Sequence, residues 1–154
     1  MCIRDRSPTC TDYDLVQAEK LGAIIGKKPT EFGLEVFKMR GGDNDLSVEE
    51  LCTHDSKEFK KGDDVYMVAQ HETVTLDVAM EREAEYREFL RQKVAENGYK
   101  FALLLVTDIF NEGSKFICEG DVAPVSEAFG IDATKAEWVD GILSRKKQVI
   151  PPLS

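Results

Sequence analysis

The run Phe101-Ala102-Leu103-Leu104-Leu105-Val106 constrains this 154-residue chain more than any other stretch. Its six residues are apolar on both faces, and charged or turn residues bound it at each end. Such a segment suits a central strand buried above and below, which requires a covering layer on each side of a sheet. Asn111-Glu112-Gly113 turns the chain, and Lys115 to Glu119 returns as a hairpin partner.

The remaining elements follow from local signals. Thr11 caps a helix, with Asp14 as the acidic half of a capping box. Leu15, Ala18, Leu21, Ile24 and Ile25 recur at helical spacing before Gly26, a stop. A second helix covers Thr30 to Met39, with Phe32, Val36 and Phe37 on one face. Gly41 to Asp45 is polar, glycine-rich and without an apolar anchor, and marks the linker. Ser47 and Glu50 form another capping box ahead of Leu51-Cys52. Lys57 to Lys60 and Val65 to Thr73 read as strands around the turn Gly62-Asp63-Asp64. Met80 to Asn97 is a long charged amphipathic helix, with Met80, Ala84, Leu90 and Val94 inward and Gly98 as its stop. Asp121 to Phe129 is a helix closed by Gly130, Thr134 to Trp138 a helical turn, and Gly141 to Ile150 a last strand. The order gives an α/β fold, a mixed sheet flanked by helices and preceded by a short helical segment.

Composition excludes several classes. Hydrophobic residues make up 42% and charged residues 32%, the balance of a globular domain. No apolar run approaches the ~20 residues a membrane-spanning helix requires, and the N-terminus lacks the apolar core of a signal peptide. Cys2, Cys10, Cys52 and Cys118 have no CxxC spacing and read as reduced thiols of a cytoplasmic protein. A net charge of -9 argues against nucleic acid as a partner. It leaves room for a small anion wherever the local field is basic.

Ser144-Arg145-Lys146-Lys147-Gln148 is such a place. Apolar Ile142-Leu143 and Val149-Ile150 flank three adjacent cations, so the run is pinned beside a buried segment. Arginine offers a planar fork that matches phosphate oxygens, and lysine a mobile point charge. Taken alone, three cations are more often a solvated basic turn. Lys57, among Asp55, Glu58, Lys60 and Lys61, reads by itself as a solvated lysine. Asp108 reads as the cap of a turn, His54 and His71 as surface or structural histidines, and Asp63-Asp64 as a turn without the rest of a calcium loop.

The ending Ser144 to Pro152 resembles the closing motif of the family II, manganese-dependent inorganic pyrophosphatases. Four further segments resemble that family in the same order: Ser7 to Asp12, Glu31 to Glu35, Asp55-Ser56-Lys57-Glu58-Phe59, and Val106-Thr107-Asp108-Ile109. Together they span Ser7 to Leu153. The resemblance implies that residues 43–154 are the second, DHHA2 domain and that residues 7–42 are a remnant of the catalytic DHH domain with its linker. Met1 to Arg6 does not look like the family and is taken as an artefactual leader. The Asp-His-His signature is absent, and Asp5 lies in the wrong surroundings to carry a ligand role.

What the resemblance implies is hydrolysis of diphosphate to two phosphates by the parent enzyme. Mn2+, or Mg2+ or Co2+ in its place, would be bound by the missing N-terminal DHH domain, with no metal ligand and no catalytic residue in this chain. Lys57, Arg145 and Lys146 match the positions that supply cations to the substrate phosphates. Lys147, on a strand, would face away from Lys146. The expected partners are inorganic pyrophosphate, the DHH domain of the same protein, and a second copy joined through that domain. Two alternatives remain open at this level: an exopolyphosphatase-like DHH phosphoesterase, and a non-catalytic anion-binding module.

Overall fold

The computed structural model describes residues 11–39 and 46–154, with backbone alone at 34 and 37–39. The chain divides into two compact units, 1–45 and 46–154. The first unit holds α1 (Asp12–Ile25) and α2 (Pro29–Met39). Thr11 and Asp14 form the expected reciprocal cap, and Gly26 closes α1 in the left-handed conformation. The spacing that defines α1 does not produce a buried stripe: Leu15, Leu21, Ile24 and Ile25 are all exposed. The segments read from the sequence as a linker (Gly41 to Asp45) and as a leader (Met1 to Arg6) lie outside the described residues.

The second unit is built on one sheet. Its elements run α3 (Val48–His54), β1 (Ser56–Lys61), β2 (Asp64–Thr73), α4 (Leu76–Met80), α5 (Glu83–Asn97), β3 (Phe101–Asp108), β4 (Gly113–Gly120), α6 (Ala123–Phe129), β5 (Glu137–Asp140) and α7 (Ile150–Leu153), with a π-helical turn at Arg145–Val149 leading into α7. The strands lie in the order β1-β2-β3-β4-β5. Only β2 and β3 pair in parallel, as the intervening helices α4 and α5 require; every other pairing is antiparallel. The mixed sheet flanked by helices is the architecture the sequence pattern implies.

All eight residues of β3 are buried, and the two-residue period sorts them onto two cores. Ala102, Leu104 and Val106 join Met67, Ala69 and Ile117 under α3 and α5. Phe101, Leu103 and Leu105 join Tyr66, Val68, Phe116 and Cys118 under Val125 of α6, Val149 and Leu153. The same alternation puts Lys57, Phe59 and Lys61 of β1 on the second face, because Phe59 opposes Tyr66 and Lys57 opposes Val68. Phe59, Tyr66 and Phe101 stack in series there, with ring centroids 5.8 and 4.8 Å apart, and tie the edge strand to the centre.

Three sequence-based expectations are corrected. The long helix breaks at Glu81-Arg82, so its second part starts at Glu83. Ala84 is exposed; the buried stripe is Tyr86, Phe89 and Leu90, six residues from Ala84 to Leu90 being too far round the helix to share a face. Arg87 and Arg91 on the outer flank reach Glu119 of β4, each at 2.9 Å, and fasten α5 to the sheet.

Thr134 to Trp138 is not a helical turn. Residues Glu137–Asp140 form the edge strand β5 against β4, with Trp138 opposite Lys115. Gly113 makes this pairing possible, since a Cβ there would stand 2.2 Å from the indole. Finally, Gly141 to Ile150 is not a strand. With β5 already on the edge of β4, the segment finds its backbone partners in side chains of the sheet, Gln70 and Ser114, and within its own π-helical turn. Pro151 and Pro152 then stand in the first turn of α7, where a missing N–H costs nothing.

Two outcomes check this packing. Gly113→Ala drives a methyl into the Trp138 ring and should destabilise the second unit by roughly 1–3 kcal/mol, read by urea unfolding. Burial pushes the thiols of Cys52 and Cys118 up to about 12 by disfavouring the thiolate. Both should therefore resist alkylation at pH 8 in the native protein and react once it is unfolded, as measured by mass spectrometry.

Candidate functional site

The face of the sheet that carries Lys57 also carries a polar row. Gln70 of β2, Thr107 of β3 and Ser114 of β4 are buried there at 8%, 1% and 0% exposure, on neighbouring strands at the same parity as the apolar core. Buried polar groups need partners, and these find them in one another and in the segment after β5. Gln70 donates to Thr107 Oγ1 at 2.9 Å and to the Leu143 carbonyl at 3.0 Å. Thr107 and Ser114 share a hydroxyl contact at 2.8 Å, and Ser114 donates to the Ile142 carbonyl at 2.7 Å. The row thus seats residues 142–145 on the sheet.

Arg145 enters the same seat. Its N–H donates to Gln70 Oε1 at 3.2 Å, and its side chain turns inward, 8% exposed. The guanidinium donates to the Asp55 and Val68 carbonyls through Nη1, and to Asp55 Oδ1 at 2.7 Å through Nη2. Asp55 sits two residues before Lys57 and its carbonyl also accepts from Gln70 N–H at 2.9 Å. Val68 is the residue directly opposite Lys57 in the β1–β2 register. Two segments 90 residues apart are thereby locked together, one opening β1 and the other closing the chain's basic run.

Lys57, Lys146 and Lys147 are exposed, and among the described residues none of them has an ion-pair partner. On a chain of net charge -9 they stand as cations without such a partner in the two segments that the Asp55–Arg145 ion pair joins. The strand geometry that separated Lys147 from Lys146 does not exist; both lie on the π-helical turn, capped by Ser144, whose hydroxyl accepts from the Lys147 N–H at 3.3 Å. Lys147 therefore has no geometric reason to be set apart.

The remaining candidates have structural roles. Asp108 Oδ1 accepts from the N–H groups of Phe110 and Asn111, at 2.8 and 3.0 Å, which makes it the cap of the β3–β4 turn. His71 is buried within β2 and His54 is exposed at the end of α3. Among the described residues no group of three or more His, Cys, Asp and Glu could hold a metal ion, so the donor set that Mn2+ requires is not found among them. No helix among them is long and apolar enough to cross a membrane. Sequence reasoning missed Gln70, Asp55 and the Thr107–Ser114 pair. The available signal was parity: Gln70, Thr107 and Ser114 continue the inward-facing positions of their strands.

A mixed five-stranded sheet with an arginine-anchored cationic turn on one face defines the class, an α/β domain that ties the start of β1 to the turn at Arg145–Val149. Residues 34–154 match the DHHA2 domain model, and the chain belongs to that family. It is 36% identical over 151 residues to the manganese-dependent inorganic pyrophosphatase of Bacillus subtilis, covering 97% of this chain and 49% of that protein. It is 37% identical over 153 residues to the cobalt-dependent inorganic pyrophosphatase of Clostridium perfringens, covering 97% of this chain and 28% of the other. A crystal structure of a Methanococcus jannaschii protein, named as a candidate family II inorganic pyrophosphatase, superposes with a TM-score of 0.79 at 32% identity, over 96% of this chain and 48% of that one. The chain thus spans about half the length of the manganese-dependent relatives it matches and 28% of the cobalt-dependent one.

The Arg145 tie has a measurable strength. Arg145→Ala removes one donor from each of the Asp55 and Val68 carbonyls and the ion-pair partner of the Asp55 carboxylate, and should lower stability by roughly 1.5–3 kcal/mol in urea unfolding, the range for hydrogen bonds to a charged group. Arg145→Lys should recover only part of the loss, because a shorter side chain ending in a single nitrogen cannot match the two-nitrogen spacing of the guanidinium fork.

Proposed function

We propose that this chain is the substrate-binding half of an inorganic diphosphatase, in which Lys57, Arg145 and Lys146 contact the phosphates. The observation that carries the reading is convergence: Arg145 bonds to the residue opposite Lys57 and to the residue two before it, so one face of the sheet gathers cations that are remote in sequence. The names of the similar proteins supply the substrate, pyrophosphate, and the metals, manganese or cobalt.

The division of labour follows from the chemistry. Phosphoryl transfer is governed by positioning and by stabilisation of charge on the phosphate oxygens. Exposed Lys57 and Lys146 act as point charges. Arg145 is turned inward onto Asp55, so its proposed contact requires a phosphate oxygen to take a share of the guanidinium from the Asp55 carboxylate. A metal ion would supply the nucleophilic hydroxide, and its ligands belong to the N-terminal DHH domain of the same protein. That domain also joins two copies into a dimer, and the enzyme works in the cytoplasm. The pyrophosphatase names of the relatives favour this reading over an exopolyphosphatase-like activity; without the other half, the chain is an anion-binding module.

Two measurements test it. The isolated chain should bind magnesium pyrophosphate in a calorimetric or NMR titration, with Lys57→Ala and Lys146→Ala each weakening binding by at least about tenfold, as loss of a charge-assisted contact requires. Equal binding by both variants and the parent chain would remove the proposal. The isolated chain should also show no pyrophosphate hydrolysis above background with manganese or magnesium, and metal-dependent turnover by the pure chain would place the catalytic half here.

A further inference from the structure

Leu143 stands at the entrance to the basic run, and both sides of its peptide backbone are held by side-chain amides. Its carbonyl accepts from Gln70 Nε2 at 3.0 Å, while its N–H donates to Gln148 Oε1 at 3.0 Å. Gln148 Oε1 also accepts from the Ser144 N–H at 2.9 Å, and its Nε2 donates to the Gly141 carbonyl at 2.7 Å. Gln70 Oε1 accepts from the Arg145 N–H. The two amides grip residues 141–145 between them, Gln70 from the sheet and Gln148 from the turn itself.

This arrangement is specific to the amide group. Each glutamine donates through nitrogen and accepts through oxygen at once, mimicking the peptide neighbours that a strand would have provided. A segment that has left the sheet would otherwise expose these groups to a half-dry environment, where unmade hydrogen bonds are costly. Neither glutamine carries charge, and neither is needed to make the local field positive.

We infer that Gln70 and Gln148 are positioning residues for the phosphate site: they fix the backbone from which Arg145 and Lys146 project, and so pre-pay the ordering of the run before a phosphoanhydride arrives. The inference rests on the reading of the basic run as a phosphate site. It assigns substrate affinity to two neutral side chains that need not touch substrate.

Gln148→Met keeps the length of the side chain and removes its hydrogen bonds. Gln148 is only half-buried, so the sheet should remain intact. Gln70→Met repeats the test from the other side. Arg87→Ala, which breaks the α5–β4 fastening away from the basic run, serves as a control for general loss of stability. In each variant, amide hydrogen exchange and magnesium pyrophosphate affinity are measured on the 154-residue chain. The expected result for Gln148→Met is faster exchange confined to residues 142–148, unchanged protection of β3, and affinity at least about fivefold weaker, as loss of preorganisation requires. Arg87→Ala should lower the melting temperature without changing affinity. If the parent chain binds and Gln148→Met binds equally well despite faster exchange, the positioning role is wrong and the phosphate site stands. If the parent chain does not bind, the phosphate site itself is wrong and the positioning role falls with it. A Gln70→Met variant that folds and binds as tightly as the parent likewise overturns the inference for Gln70.

Discussion

A strand that is dry on both faces sets the terms for everything around it. All eight residues of β3 are buried, so each face needs its own cover and each edge its own pairing partner. α5 satisfies one face while carrying the chain back to place β3 parallel to β2, and α6 with α7 satisfies the other. The hairpin to β4 closes the second edge. Apolar burial at about 25 cal/mol per Å2 holds these layers together, and no single polar contact rivals the sum. The polar contacts instead decide where particular groups stand.

Local signals were legible where the structure they specify is also local. The capping boxes Thr11/Asp14 and Ser47/Glu50 need only four residues each, and both form. The uniform apolar run of β3, short and bounded by charged or turn residues, suits a strand buried on both faces. β5 was not legible, since Glu-Trp-Val-Asp becomes a strand through the free edge of β4 and the space above Gly113. The helix break at Glu81-Arg82 escaped because glutamate and arginine are both good helix formers and no glycine or proline marks the place.

The basic run shows the same limit more sharply. Its identity as a candidate site came from motif resemblance, and its flanking apolar residues correctly signalled attachment to a core, with Val149 buried at 0% exposure. Its conformation did not follow, because the groups that satisfy its backbone include Gln70, more than seventy residues earlier in the chain. Lys57 alone looked like any solvated lysine. Only the β1–β2 register and the guanidinium of Arg145 put it on the same face as the run.

The ties made by Arg145 cross 75, 77 and 90 residues of chain. Contacts so distant in sequence carry a large loop-closure cost and gain nothing until the intervening structure exists. The seat for the basic run is complete only when β1, β2, β3 and β4 are all in register. A chain arrested with its sheet half assembled keeps every one of these charges and has no site, because the geometry belongs to the finished sheet and the residues alone do not contain it.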